Sequence, residues 1–262
     1  MREPTDASKF QPIGTAISTD TTYTHALSLG TLTDDPGQKS VKEKRCWYKK
    51  ETPDPHIART ELLAQEFFRL IIPHQPETRL ALNAATGNYS LLSEAVPGFH
   101  RLPSGKKLNF SNGNYKGLGQ ALLCAVFLQE TDLKNGNIGV DNQNRIIKID
   151  GDWCFSEARS HALGLPAHRH PITPEVIAAL PYRLDSNTYN WLDLIKMGLA
   201  KPDSAIINPS DLSGSPQFRA EINEAMHKIC LLPNSVIDKF VDTYLPTGGG
   251  TIKHSLKIVV MN

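Results

Sequence analysis

Between residues 132 and 150 the chain sets two carboxylates, an amide and an ammonium around what its apolar pattern makes a short hairpin. Residues 117–130 carry Leu118, Leu122, Ala125 and Val126 at helical spacing, so an apolar helix leads into Asp132. Asn137–Asp141 and Arg145–Asp150 then read as two strands joined by a polar turn. Asp132, Lys134 and Asn137 fall at the mouth of this unit, and Asp150 closes its second strand. Taken singly, Asp132 is a loop residue with local backbone bonds and Asn137 a turn former. Together they offer oxygen ligands from two chain segments, the donor type that a hard divalent cation takes.

The remaining composition limits the setting. A chain of 262 residues makes one large domain or two small lobes around a cleft. Net charge is +1, which gives no global field for nucleic acid or an anionic membrane. The four cysteines (Cys46, Cys124, Cys154, Cys230) have no CxxC spacing, so they read as reduced and buried in a cytoplasmic protein rather than as zinc ligands. The N-terminus lacks the apolar core of a signal peptide, and no apolar run is long enough to span a membrane. There is no internal repeat.

Ahead of the hairpin, strands are expected near 10–17 and 22–32, a turn at Asp34–Gly37, and a strand ending Cys46-Trp47-Tyr48-Lys49-Lys50. Asp54-Pro55 reads as N-cap and first residue of a helix that buries Leu63, Phe67, Leu70 and Ile71 and stops at Pro73. Strands Thr78–Asn83 and Tyr89–Glu94 follow, and Val96-Pro97-Gly98 breaks the pattern, marking a boundary. Beyond 156 the expectation is helices and loops: Trp191–Leu199, Pro216–Leu232 and a further helix over Leu231–Tyr244. The apolar residues 255–262 suggest that the chain continues.

The run Asp132-Leu133-Lys134-Asn135-Gly136-Asn137 resembles the D-L-K-x-x-N catalytic loop of protein kinases. Asp150 stands where kinases place the metal-binding Asp of D-F-G. Gly136-Asn137-Ile138 with Ile147-Lys148-Ile149-Asp150 is closer still to the atypical branch, the phosphoinositide-kinase-like and HipA-like proteins. The overall shape is also similar to Legionella effector kinases activated by inositol hexakisphosphate. The likeness covers about residues 45–155 and is strongest over 117–155.

This resemblance implies an α+β, bilobal protein-kinase-like fold, with a small β-rich N-lobe over 1–96 and a mostly helical C-lobe over 97–262. It implies ATP and Mg²⁺ or Mn²⁺ as cofactors and γ-phosphoryl transfer to a hydroxyl of a protein substrate. Asp132 would orient or deprotonate the acceptor, Lys134 would neutralise the moving phosphoryl group, and Asn137 and Asp150 would hold the metal, with Asp152 a further candidate. Lys49 is the expected phosphate lysine, chosen over the adjacent Lys50, which faces the other side of a regular strand. Its carboxylate partner is Glu61 or Glu66, and the likeness of Thr60-Glu61-Leu62-Leu63-Ala64 to HipA-like proteins selects Glu61. The backbone around Glu94 and Val96 would form the adenine hinge. An effector of this kind would be secreted into a host cytoplasm.

Several parts of the usual kinase are missing. There is no G-x-G-x-x-G, which leaves the Ser/Thr-rich segment 15–24 as phosphate cover. Glu130-Thr131 replaces His-Arg, Gly151 replaces the Phe of D-F-G, and no A-P-E follows. Two basic groups could take a polyanion such as inositol hexakisphosphate: Lys39, Lys42, Lys44 and Arg45, and separately Arg159, His161, His168, Arg169 and His170. Gly248-Gly249-Gly250 lacks the Lys-Ser/Thr of a P-loop, and no G-x-S-x-G elbow is present. Phosphoinositide kinase, AMP transferase and non-catalytic nucleotide-binding module remain the alternatives.

Overall fold

A computed structural model describes residues 3–14, 27–35, 44–52, 54–102, 115–162, 172–182, 190–192, 212, 215–246 and 249–261. The protein is α+β. Its N-terminal part is a six-stranded sheet made from β1 (Thr5–Asp6), β2 (Phe10–Pro12), β3 (Leu27–Leu32), β4 (Cys46–Thr52), β5 (Thr78–Leu82) and β6 (Tyr89–Glu94). The strand order is β1-β5-β6-β4-β3-β2, antiparallel except for the parallel β1–β5 pair. Side chains alternate along β4: Trp47 is fully buried with Phe10, Leu32, Ala81 and Leu92, while the neighbouring residues face the opposite side.

That opposite face carries α1 (Pro55–Ile71). Asp54 caps it by accepting from His56 N (2.7 Å) and Ile57 N (3.4 Å), and Pro55 occupies its first turn. All eight residues from Glu61 to Phe68 are buried, because sheet and helices enclose the middle of α1 on every side. Leu63, Phe67 and Ile71 lie in the core as expected, but Leu70 is 42% exposed. Burial in α1 is thus set by its neighbours rather than by a single stripe.

Among the described residues, the rest is helical apart from one small sheet. β7 (His100–Arg101) precedes α2 (Leu118–Phe127), β8 (Ile138–Val140) and β9 (Ile146–Lys148), and the sheet order is β7-β8-β9. Then come α3 (Ser156–Ala162), α4 (Pro174–Ala179), α5 (Pro216–Cys230), α6 (Asn234–Tyr244) and α7 (Gly250–Met261). Every residue of α2 is buried. Gly117, at φ 97°, begins it, and Glu221 of α5 accepts from Gly117 N (2.8 Å) and Gly119 N (3.0 Å). A Cβ at Gly119 would lie 2.5 Å from Phe218 O, so this glycine permits the close α2–α5 approach. Phe67 stacks on Phe127 at 5.3 Å and meets Phe240 edge-on at 5.8 Å, joining α1, α2 and α6 in one core.

The expected segment 15–24 and all of 191–199 beyond Leu192 lie outside the described residues. The cysteines are free, but only Cys124 and Cys154 are buried; Cys46 is half-buried and Cys230 exposed. Among the described residues no helix is long and apolar enough to cross a membrane.

Candidate active site

The β8–β9 hairpin is fixed from within and from outside. At its turn, Asp141 accepts from Gln143 N (2.8 Å) and Arg145 N (2.9 Å), and also from Arg145 Nε (2.7 Å). On its flank, Gln75 donates to Ile146 O (2.8 Å) and accepts from Lys148 N (2.7 Å). Asn137 O accepts from Ile149 N (2.9 Å), so the loop after α2 and the end of β9 run side by side.

Two polar clusters gather there. In the first, Asp132 is buried and its carboxylate is surrounded by donors: Lys134 Nζ (2.8 Å), Asn137 Nδ2 (3.4 Å) and Asn190 Nδ2. Asn137 Nδ2 also donates to Asp132 O (2.9 Å), and Asn190 N to Thr131 O (2.8 Å). Lys134 stays half exposed, and Asp132 raises its pKa against a smaller effect of burial.

In the second cluster, Lys50 Nζ donates to both Glu61 oxygens (3.0 and 3.1 Å) and to Asp150 Oδ1 (3.2 Å), with Asp152 at 3.5 Å. Asp150 has φ 64°, an unusual backbone for a non-glycine residue. Gly151 beside it lies against α1, where an added Cβ would come within 3.2 Å of Ala64.

One ammonium therefore faces three carboxylates. Burial alone would lower the Lys50 pKa, but Glu61, Asp150 and Asp152 together raise it well above the ordinary value. The carboxylates diverge. Burial, assisted by neighbouring carboxylates, pushes Glu61 up to about 7 and Asp152 up to about 6. Burial acts in the same sense on Asp150, but Lys50 and Lys148 outweigh it and bring Asp150 down to about 2. Oxygen atoms of Glu61, Asp150 and Asp152 lie within 4.8 Å of one another. This excess of hard oxygen donors over positive charge fits a divalent cation such as Mg²⁺ or Mn²⁺.

The expected residues separate clearly. Lys49 is not in this cluster: it lies on the Trp47 face, pairs with Glu51 at 2.6 Å and sits 5.8 Å over the Phe10 ring. Lys50, one residue on and on the α1 face, is the lysine that meets Glu61. Glu61 is the carboxylate facing Lys50. Glu66 is equally buried but serves the framework, accepting from Thr78 N (2.8 Å), Arg69 Nη2 (2.9 Å) and Tyr244 Oη (3.3 Å).

Glu94 holds Arg45 (2.9 Å), and its N–H donates to Glu77 O; Val96 O accepts from Phe99 N. Arg45 is not an open anion dock, since Glu94, Glu77 (2.7 Å) and Asp35 (3.6 Å) surround it, and it lies over the Trp47 ring, as Arg79 also does. Arg159 is likewise occupied, donating to Asp152 O and covering the Trp153 ring at 4.1 Å. Lys44 is exposed, whereas Lys39, Lys42, His168, Arg169 and His170, with the side chain of His161, lie outside the described residues.

Sequence reasoning missed Asn190, which comes 58 residues after Asp132 and carries no local signal. It also missed Glu130 and Lys148, which form a buried ion pair at 3.2 Å beneath both clusters. A lone lysine inside Ile146-Ile147-Lys148-Ile149 was the available clue, because a charge within a buried strand requires a partner.

No protein-family model matches the chain, and no curated protein matches it in sequence. Among solved structures it is similar to the N-terminal 618-residue fragment of LepB from Legionella pneumophila, at 14% identity and TM-score 0.40, over 87% of this chain and 46% of that one. It is also similar to the Helicobacter pylori proinflammatory kinase CtkA, at 12% identity and TM-score 0.39, over 89% of this chain and 91% of that one. The chain thus spans less than half of the LepB fragment. Likenesses at this level concern overall shape and assign no residue a role.

Proposed function

We propose that the protein is an atypical ATP- and metal-dependent kinase that transfers a γ-phosphoryl group to a protein hydroxyl. The observation that carries this reading is the convergence on one ammonium of three distant segments: Lys50 of a sheet strand, Glu61 of α1 and Asp150 after the hairpin. Phosphoryl transfer asks for such a lysine, held by a helical carboxylate, beside a metal-binding aspartate.

In this reading the N-lobe spans 1–96 and the C-lobe 97–262, with the backbone at Glu94–Val96 as the hinge. Lys50 contacts the nucleotide phosphates and Glu61 holds its ammonium in place. Asn137 and Asp150 hold the cation, and Asp152, whose carboxylate shares the cluster, is a further ligand. The cation, when bound, neutralises charge on the β- and γ-phosphates. Asp132 orients the acceptor hydroxyl, and Lys134, half exposed beside it, is placed to meet charge on the transferred group. Activation by an inositol polyphosphate would have to use basic residues other than Arg45 and Arg159, both of which are paired internally.

The test uses γ-labelled and, separately, α-labelled ATP with Mn²⁺, with and without inositol hexakisphosphate. Label retained on protein only from the γ position is expected; label from the α position would instead indicate AMP transfer. Asp132→Ala should lower turnover by about 10²- to 10⁴-fold with nucleotide binding retained. Lys50→Met should abolish turnover while Lys49→Met leaves it within a few-fold. The opposite ranking of the two lysines would refute the site.

A further inference from the structure

Glu130 and Lys148 are the most deeply buried ion pair among the described residues, each side chain only 1% exposed. Each partner also holds backbone belonging to one of the two polar clusters. Glu130 Oε1 accepts from the N–H of Asp132 itself (3.0 Å), and Oε2 accepts from Cys154 Sγ (3.1 Å). Lys148 Nζ donates to Ile149 O (2.9 Å) and to Asp150 O, the carbonyls flanking the left-handed Asp150 backbone. The ammonium also lies 5.5 Å from the Phe68 ring centre. Burial opposes its charge, but Glu130, Cys154 and Asp150 together outweigh burial and raise its pKa.

Stability alone does not account for such a pair. Desolvating two charges costs about as much as their attraction returns, and a buried pair replaced by uncharged groups of similar volume often leaves a protein equally stable or more so. What a Gln–Met pair cannot do is link the Asp132 amide to the Asp150 carbonyl, because Met has no donor for that carbonyl. We infer that Glu130 and Lys148 are positioning residues, which hold the acceptor-orienting loop and the metal-binding loop in a single register. The inference rests on the proposed kinase site and names what aligns its two halves. It also gives a function to the place where Glu130-Thr131 stands instead of His-Arg.

The test compares the parent with Glu130→Gln, Lys148→Met and the double variant by thermal unfolding, Mn²⁺ affinity in the presence of ADP, and turnover. Each single change leaves one buried charge unpaired and should lower the melting temperature. The double variant should regain most of that loss, yet bind Mn²⁺ and turn over about 10- to 100-fold more weakly than the parent. The decrease should fall on kcat and metal affinity rather than on the KM for acceptor. A double variant with parental stability, Mn²⁺ affinity and turnover overturns the inference. So does one that stays as unstable as the single variants or fails to fold, since the pair then serves the fold as a whole. Asp150→Ala separates this from the underlying site: if it leaves Mn²⁺ affinity unchanged, the metal site itself is wrong. If it abolishes binding while the double variant behaves as the parent, only the positioning role fails.

Discussion

Three carboxylates around the Lys50 ammonium make proton uptake the sensitive property of the site. Glu61, up at about 7, and Asp152, up at about 6, hold their protons more tightly folded than unfolded. Their contribution to stability is therefore fully present at low pH and declines as pH rises from the ordinary carboxylate range through those values. Asp150, down at about 2, has the opposite sign: its contribution is present above pH 3.8 and is lost as pH falls through about 2. Between about pH 5 and about pH 7.5 the raised pair governs, so the metal-free protein should melt at progressively lower temperature across that window. Mn²⁺ favours the deprotonated carboxylates and should reverse the trend. Thermal melts across the window, with and without Mn²⁺, check this, and Asp152→Asn should flatten the metal-free slope. A metal-free melting temperature that rises across the window would contradict the assignment.

The same scale explains why Lys49 and Lys50 could not be separated by motif alone. Adjacent strand residues face opposite sides, so one step in register exchanges the surface at Phe10 for the side facing Glu61. Which face receives α1 is a tertiary property, and it alone selects Lys50.

Among the elements, α2 leads into the loop that holds Asp132, and α5 fixes where α2 begins. Glu221 accepts two amides of the α2 N-terminus that would otherwise be unsatisfied among buried residues. Glu221→Ala should destabilise the protein by about 1–2 kcal/mol, measured by denaturant unfolding, as loss of a helix cap does. A larger loss of turnover than of stability would show that the start of α2 sets the Asp132 loop. Gly119→Ala should be more damaging than Glu221→Ala, because its methyl group meets the Phe218 carbonyl. The starts of α1 and α5 could be read locally: Asp54-Pro55 begins α1, and Ser215-Pro216 begins α5 with Ser215 Oγ as cap, whereas α6 begins at Asn234 rather than Leu231. Leu70 was misread because periodicity marks a potential face, whereas burial depends on what covers each turn.

For the molecule as a whole, the site is held by contacts that span it. Lys50 reaches Asp150 across 100 positions, and Tyr244 reaches Glu66 across 178. A ligand bound across such a cleft favours the folded state by mass action. Mn²⁺ with ADP should therefore raise the melting temperature, with a gain that grows with ligand concentration and is lost in Asp150→Ala. No shift at saturating concentrations would argue against a nucleotide cleft.

The sequence by itself determined the elements and the chemical types. Helical and strand periods, the Asp-Pro helix start, and Asp132, Asn137 and Asp150 around one hairpin are all local, and local spacing is visible in a linear chain. Tertiary structure decided the partners. It paired Lys50 rather than Lys49 with Glu61, gave Glu66 to the framework, and enclosed Arg45 among carboxylates. It also brought Asn190 to Asp132 and buried Lys148 against Glu130. Those outcomes depend on which faces meet when sheet, helix and hairpin pack, and no spacing within one segment encodes that meeting.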